Sequence, residues 1–195
     1  MRISRLIESV QIVKGLLSGE TVSFHGKYYH IDQLSLAPKP VQQPHPPILI
    51  GGGSKRILSL AAREADIVSF NIRSTPEGGL DATSNSLQAI QEKVDWVCQA
   101  AGERLPDLEF TVVGDIVITG DREGAARKIV NDWKSMGVEY TEEIVLESPA
   151  FILGDVESIV DQLHQNRERF GFSYYTFGAD QIEDFAPLVQ RLAGR

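Results

Sequence analysis

Cysteine is almost missing from this chain. Its 195 residues include one, Cys98, so no internal disulfide can form. Cys98 falls on the apolar stripe of a predicted helix and reads as a small core residue. Positive charge is also short. Nineteen Lys and Arg stand against 27 Asp and Glu, a formal net charge of −8. That balance argues against nucleic acid or an anionic membrane surface as partner. No apolar run approaches the roughly 20 residues that a membrane-spanning helix needs. The opening Met1-Arg2-Ile3-Ser4-Arg5 leads into an amphipathic helix rather than a secretory signal, so the cytoplasm is the expected location. There is no clear internal repeat and no low-complexity segment. The four histidines, His25, His30, His45 and His164, lack metal-ligand spacing, and no metal site is expected.

What is present is ordinary for a globular α/β chain: 42% hydrophobic and 24% charged residues, enough for one good core. Ile3, Leu6, Ile7, Val10, Val13 and Leu17 stripe a helix over residues 3–18, stopped by Gly19. Residues 21–31 read as a hairpin turning at Gly26-Lys27. Five prolines in residues 36–47 make an extended connector, which completes a hairpin-and-connector stretch over 19–46. From residue 47 onward strands and helices alternate. Strands are expected at 47–50, 67–70, 110–119 (with Gly114 as a bend) and 173–177, and a short one at Glu143–Leu146. Helices are expected at 54–64 and 84–102, after the caps Asp121 and Asp155, and at the C-terminal end, with 71–83 a loop. Such alternation means a parallel sheet covered by helices. An open doubly wound sheet and part of a (β/α)8 barrel both fit. A whole barrel does not, because it needs roughly 250 residues.

The most informative stretch is Ile48-Leu49-Ile50-Gly51-Gly52-Gly53-Ser54-Lys55-Arg56. An apolar strand is cut off by three glycines, and a helix starts at once. Backbone N–H groups are left free beside the positive end of a helix, which suits a phosphate. The same glycines would also serve a tight turn, and their spacing is neither the dinucleotide fingerprint nor the P-loop.

Several blocks in fixed order carry a family resemblance. They are Arg5 to Leu17, Phe24-His25-Gly26-Lys27-Tyr28-Tyr29, Ala37-Pro38-Lys39-Pro40-Val41-Gln42, Pro46 to Gly53, Leu60 to Val68, and Leu153-Gly154-Asp155. Together they resemble the luciferase-like monooxygenase superfamily, and within it the deazaflavin (coenzyme F420)-dependent oxidoreductases. The resemblance covers nearly the whole chain, read as a single unit over 1–195, but only the C-terminal half to two-thirds of the family's (β/α)8 barrel. The first four strands are without counterpart, which leaves a truncation, a misplaced start and a reduced relative all open for Met1. The resemblance implies hydride transfer between coenzyme F420 and a small organic substrate. FMN-dependent oxygen activation and a non-catalytic relative are the alternatives. It implies that Gly51, Gly52, Gly53 and Ser54 hold the cofactor phosphate, with Lys55 and Arg56 adding charge.

Asn71, at the end of the next strand, either faces ring or substrate or forms a turn. No catalytic acid–base pair is identified, and hydride transfer requires none. Tyr174, Tyr175 and Phe177 alternate on the last strand, one set facing the barrel interior or filling the core. Asp66 reads as a turn or cap residue, and Trp96 and Trp133 as packing residues. Glu142-Glu143 and Arg167-Glu168-Arg169 read as solvated faces. A partial barrel has unpaired sheet edges, so a homodimer is expected.

Overall fold

The computed structural model describes residues 2–176 and 182–193. Helix α1 spans Arg2–Leu17, and a hairpin of β1 (Val22–His25) and β2 (His30–Leu34) follows. Glu8 of α1 fixes the turn of that hairpin. Its carboxylate accepts the backbone N–H groups of Lys27, Tyr28 and Tyr29 at 3.0, 2.9 and 3.1 Å. The remaining elements are β3 (Leu49–Gly52), α2 (Lys55–Glu64), β4 (Ile67–Phe70), the two-residue strands β5 (Arg73–Ser74) and β6 (Leu80–Asp81), and α3 (Leu87–Ala101). After them come β7 (Glu109–Val112), β8 (Asp115–Ile118), α4 (Arg122–Ser135), α5 (Glu142–Glu147), β9 (Phe151–Gly154), α6 (Val156–Phe170), β10 (Phe172–Tyr174) and α7 (Ile182–Leu192).

Strands β3, β4, β7 and β10 lie side by side in chain order, all parallel. A doubly wound sheet reverses its order at a switch point. This sheet never does, so of the two architectures left open by the sequence it is the partial barrel. Each strand is joined to the next through at least one helix: α2, α3 and α6. The register places Ile50, Val68 and Phe110 in one row and Gly51, Ser69 and Thr111 in the next, on the opposite face.

The first face is the core. Val68 and Phe70 are fully buried beneath the helices, with Leu58 of α2 and Ile90 and Val97 of α3. The Phe70 ring meets Phe110 and Phe172 edge-on, both at 5.3 Å between centroids. Each such ring contributes about 1.5–3 kcal/mol by leaving water. Arg104 closes the far end of α2 by donating to the Ala62 and Ala65 carbonyls at 2.9 and 2.8 Å.

The strand expected over 110–119 is two strands in two sheets. Gly114 is the break. A Cβ there would lie 1.6 Å from the Ala150 carbonyl oxygen, so only glycine allows β8 to leave the sheet and pair with β9. The chain thereby departs at the C-terminal end of β7, forms β8, α4, α5 and β9, and rejoins the barrel pattern through α6. A second apolar cluster, with Ile116, Ile152, Ile159, Leu163, Phe185 and Leu188, holds this inserted part against α6 and α7.

Three local expectations are corrected. Glu143–Leu146 lies in a helix, α5, not a strand. Thr141 caps it, its hydroxyl accepting from the Ile144 N–H at 3.2 Å, and Glu142 and Glu143 sit in the first turn where the helix dipole favours carboxylates. Phe151–Gly154 is a fully buried strand where none was expected. Residues 71–83, read as loop, carry the small β5–β6 pair. Phe177 lies outside the described residues.

Candidate functional site

Four of the sequence-derived site residues come together with Asn71. Gly51, Gly52, Gly53, Ser54 and Asn71 line one cavity of about 600 Å³, at the C-terminal ends of β3 and β4. In barrels this end carries the chemistry. Arg2, Ile3 and Leu6 of α1 form another wall, and Ile72 and Arg73 a third.

The glycines are needed for packing whatever else they do. A Cβ on Gly53 would sit 2.6 Å from the backbone of Arg73 and 2.7 Å from the Asn71 carbonyl oxygen. A Cβ on Gly51 would approach the Asn71 amide nitrogen to 2.9 Å, and one on Gly52 would strike Ile57. None of the three has a positive φ. The turn is thus a seat for the incoming 71–73 segment.

Ser54 takes the N-cap position of α2 with extended backbone, yet its hydroxyl makes no capping bond. The N–H groups in the first turn of α2 therefore get no partner from that side chain. Lys55 is exposed, and neither it nor Arg56 lines the cavity. Arg56 instead donates to the Ser4 hydroxyl at 3.0 Å, which ties α2 to α1 beside the cavity. The basic residues that line it are Arg2 and Arg73. Arg73 also pairs with Asp81, its Nε donating at 3.2 Å, and the hydrogen bond from the Thr83 hydroxyl, seconded by this contact, holds the Asp81 carboxyl below the usual range.

Asn71 is held on one side. The Ser69 hydroxyl donates to its Oδ1 at 2.8 Å. Its backbone carbonyl accepts from the Lys93 ammonium at 2.8 Å. Lys93 is 2% exposed, the most buried charge among the described residues. It also reaches Asn85 Oδ1 at 3.4 Å, and Asn85 donates to the Tyr140 hydroxyl at 3.1 Å. Burial pushes Lys93 down to about 8, with the Arg73 charge acting the same way and Asp81 opposing. Beside Ser69 in register lies Thr111, 3% exposed, whose hydroxyl has no hydrogen-bond partner among the described residues.

The other candidates serve structure. Asp66 accepts from the Ile48 N–H at 2.7 Å and so starts β3, with His45 3.9 Å away. Trp133 donates to Asp115 at 3.0 Å and packs edge-on against Tyr140. Tyr175 is half-buried between the two apolar clusters, and Tyr174 is 37% exposed. No group of three or more His, Cys, Asp or Glu able to hold a metal exists among the described residues. No helix among them is long and apolar enough to cross a membrane. A further cavity, about 430 Å³, lies between β8 and α4 and contains none of the expected site residues.

A parallel, chain-ordered strand set with a cavity at its C-terminal edge defines part of a (β/α)8 barrel. The family model of luciferase-like monooxygenases matches residues 1–174, and the chain belongs to that family. It is 30% identical over 129 residues to an FMNH2-dependent dimethylsulfone monooxygenase of Pseudomonas putida, covering 66% of this chain and 32% of the relative. Among solved structures it resembles the coenzyme F420-dependent tetrahydromethanopterin reductase of Methanopyrus kandleri, with a TM-score of 0.65, 15% identity, and coverage of 94% of this chain and 61% of that one. It resembles EDTA monooxygenase from Chelativorans sp. BNC1 with a TM-score of 0.66 at 15% identity, over 98% and 60% of the two chains. The chain thus spans about a third of the curated relative and about three-fifths of these solved ones.

Sequence reading missed Arg2, Arg73 and Lys93. Arg2 and Arg73 reach the cavity only through tertiary folding. Lys93 did leave a signal: it falls three residues after Ile90 and four before Val97, on the apolar stripe of α3.

Proposed function

We propose that this chain provides the phosphate-binding part of a flavin-type redox site, serving hydride transfer between coenzyme F420 and a small organic substrate. The carrying observation is that the Gly51–Ser54 turn, Asn71, Arg2 and Arg73 line one cavity at the strand ends. Gly52 to Ser54 and the start of α2 would offer backbone N–H groups, and Arg2 and Arg73 charge, to the phosphate. The residues fit such a group in one further respect: Ser54, at the N-cap of α2, makes no side-chain capping bond. The bound cofactor would supply the redox chemistry itself, carrying a hydride at a ring carbon or, as reduced flavin, activating oxygen. This chain's residues would bind, orient and exclude water.

FMN is the second reading, favoured by the relative at 30% identity that is FMNH2-dependent. Titrating the purified chain with coenzyme F420 and with FMN, followed by absorbance, tests the proposal and ranks the two. F420 binding the tighter supports the first reading and FMN the second. Binding of neither contradicts the cofactor role.

A further inference from the structure

Lys93 is the group the packing does not require. Removing an ammonium from water is costly, and the side chain could have been apolar like Ile90 and Val97 on the same face. Its two hydrogen-bond acceptors are neutral, the Asn71 carbonyl and the Asn85 amide oxygen. The charged and titratable groups around it are Arg73 from β5, Asp81 from β6, and Tyr140 through Asn85. Asp81 is engaged by Arg73, so no carboxylate pairs directly with the ammonium. A buried charge left in this state beside a cavity is a signature of function rather than stability.

The geometry carries that charge to the cavity. Lys93 donates to the Asn71 carbonyl, and Gly53 packs on the same carbonyl and on the Arg73 backbone. Asn71, Arg73 and Gly53 all line the cavity. We infer that Lys93 is a positioning residue for the anion site: its ammonium, lying beneath the 71–73 turn, sets the backbone on which Asn71 and Arg73 stand and adds positive potential under the bound phosphate. This rests on the phosphate reading above and assigns it a group that never touches the ligand.

The two roles predict a pH step that a mere space-filling residue would not give. FMN is the probe, because its monoester phosphate remains a dianion from pH 7 to 9. Fluorescence titration of the full chain should show the FMN dissociation constant rising at least threefold across that range, as Lys93 loses its proton. Lys93→Met should bind FMN about tenfold more weakly at pH 7 and show no step. Circular dichroism would confirm that the variant is folded; if it is not, the step in the wild-type chain still decides. A wild-type affinity that is flat across the range overturns the inference while leaving the phosphate reading intact, and so does a folded Lys93→Met that retains the step. Absence of FMN binding at every pH overturns this inference, and absence of coenzyme F420 binding as well overturns the phosphate reading with it.

Discussion

Gly53 and Lys93 show how single residues shape the cavity from opposite sides of the 71–73 segment. Gly53→Ala would drive a Cβ into the Arg73 backbone, which cannot swing aside as a side chain would. A loss of about 1–3 kcal/mol is expected from overpacking, read by denaturant unfolding, together with weaker FMN binding. Lys93 makes stability depend on pH with a definite sign. Below about 8 the folded and unfolded chains both hold its proton, and between about 8 and the ordinary lysine value of 10.5 only the unfolded chain does. Its contribution to stability therefore rises with pH through that window. Tyr140 and Tyr175 act the other way. Burial pushes both up to about 12, so above pH 10 the folded chain keeps protons that the unfolded chain loses. Thermal melts from pH 7.5 to 11 should give a difference between wild type and Lys93→Met that isolates the lysine, since the tyrosines are common to both. A constant difference across the window would contradict its titration. Lys93 escaped sequence reading because lysine on a helix is usually solvated, and only its phase against Ile90 and Val97 marks it as buried.

At the level of elements, β3, α2, β4 and α6 were legible because each carries a local signal. Apolar strand runs end at glycine or a turn, and Asp155 caps α6 through the Ser158 N–H at 2.8 Å. β9 carries much the same signal as β3, an apolar run ending in glycine before a helix, but lacks the run of three glycines that marks β3. α5 was misread because six residues, Glu142–Glu147, are too few for a helical period to separate from alternation. The departure of β8 into a second sheet had one clue, Gly114, which suggested a bend but not a change of partner. Gly114→Ala tests that device. The Ala150 carbonyl leaves no room for a methyl group, so β8 and β9 must separate or shift. A destabilisation of roughly 3 kcal/mol or more is expected, and hydrogen exchange should show protection lost first at Asp115–Ile118 and Phe151–Gly154. Uniform loss across the parallel four-stranded sheet would contradict this division.

For the whole molecule, the family and its partial-barrel fold are established, and the cofactor remains the proposal. The architecture became certain only when strand order was known, because doubly wound sheets and barrels share the same βα alternation. β3 and β10 each keep one edge without a strand partner among the described residues, and Leu49 on β3 is 49% exposed. Such edges favour pairing with another chain. Light scattering during size-exclusion chromatography is expected to give about twice the 21.5 kDa chain mass, and a stable monomer would contradict that expectation. The claim on which the rest depends is that the cavity beyond Gly51–Ser54 recognises a phosphate. The most direct measurement compares FMN with riboflavin, the same ring system without that group, in parallel titrations at pH 7. The account predicts that FMN binds at least tenfold more tightly. Equal affinity for the two would contradict it.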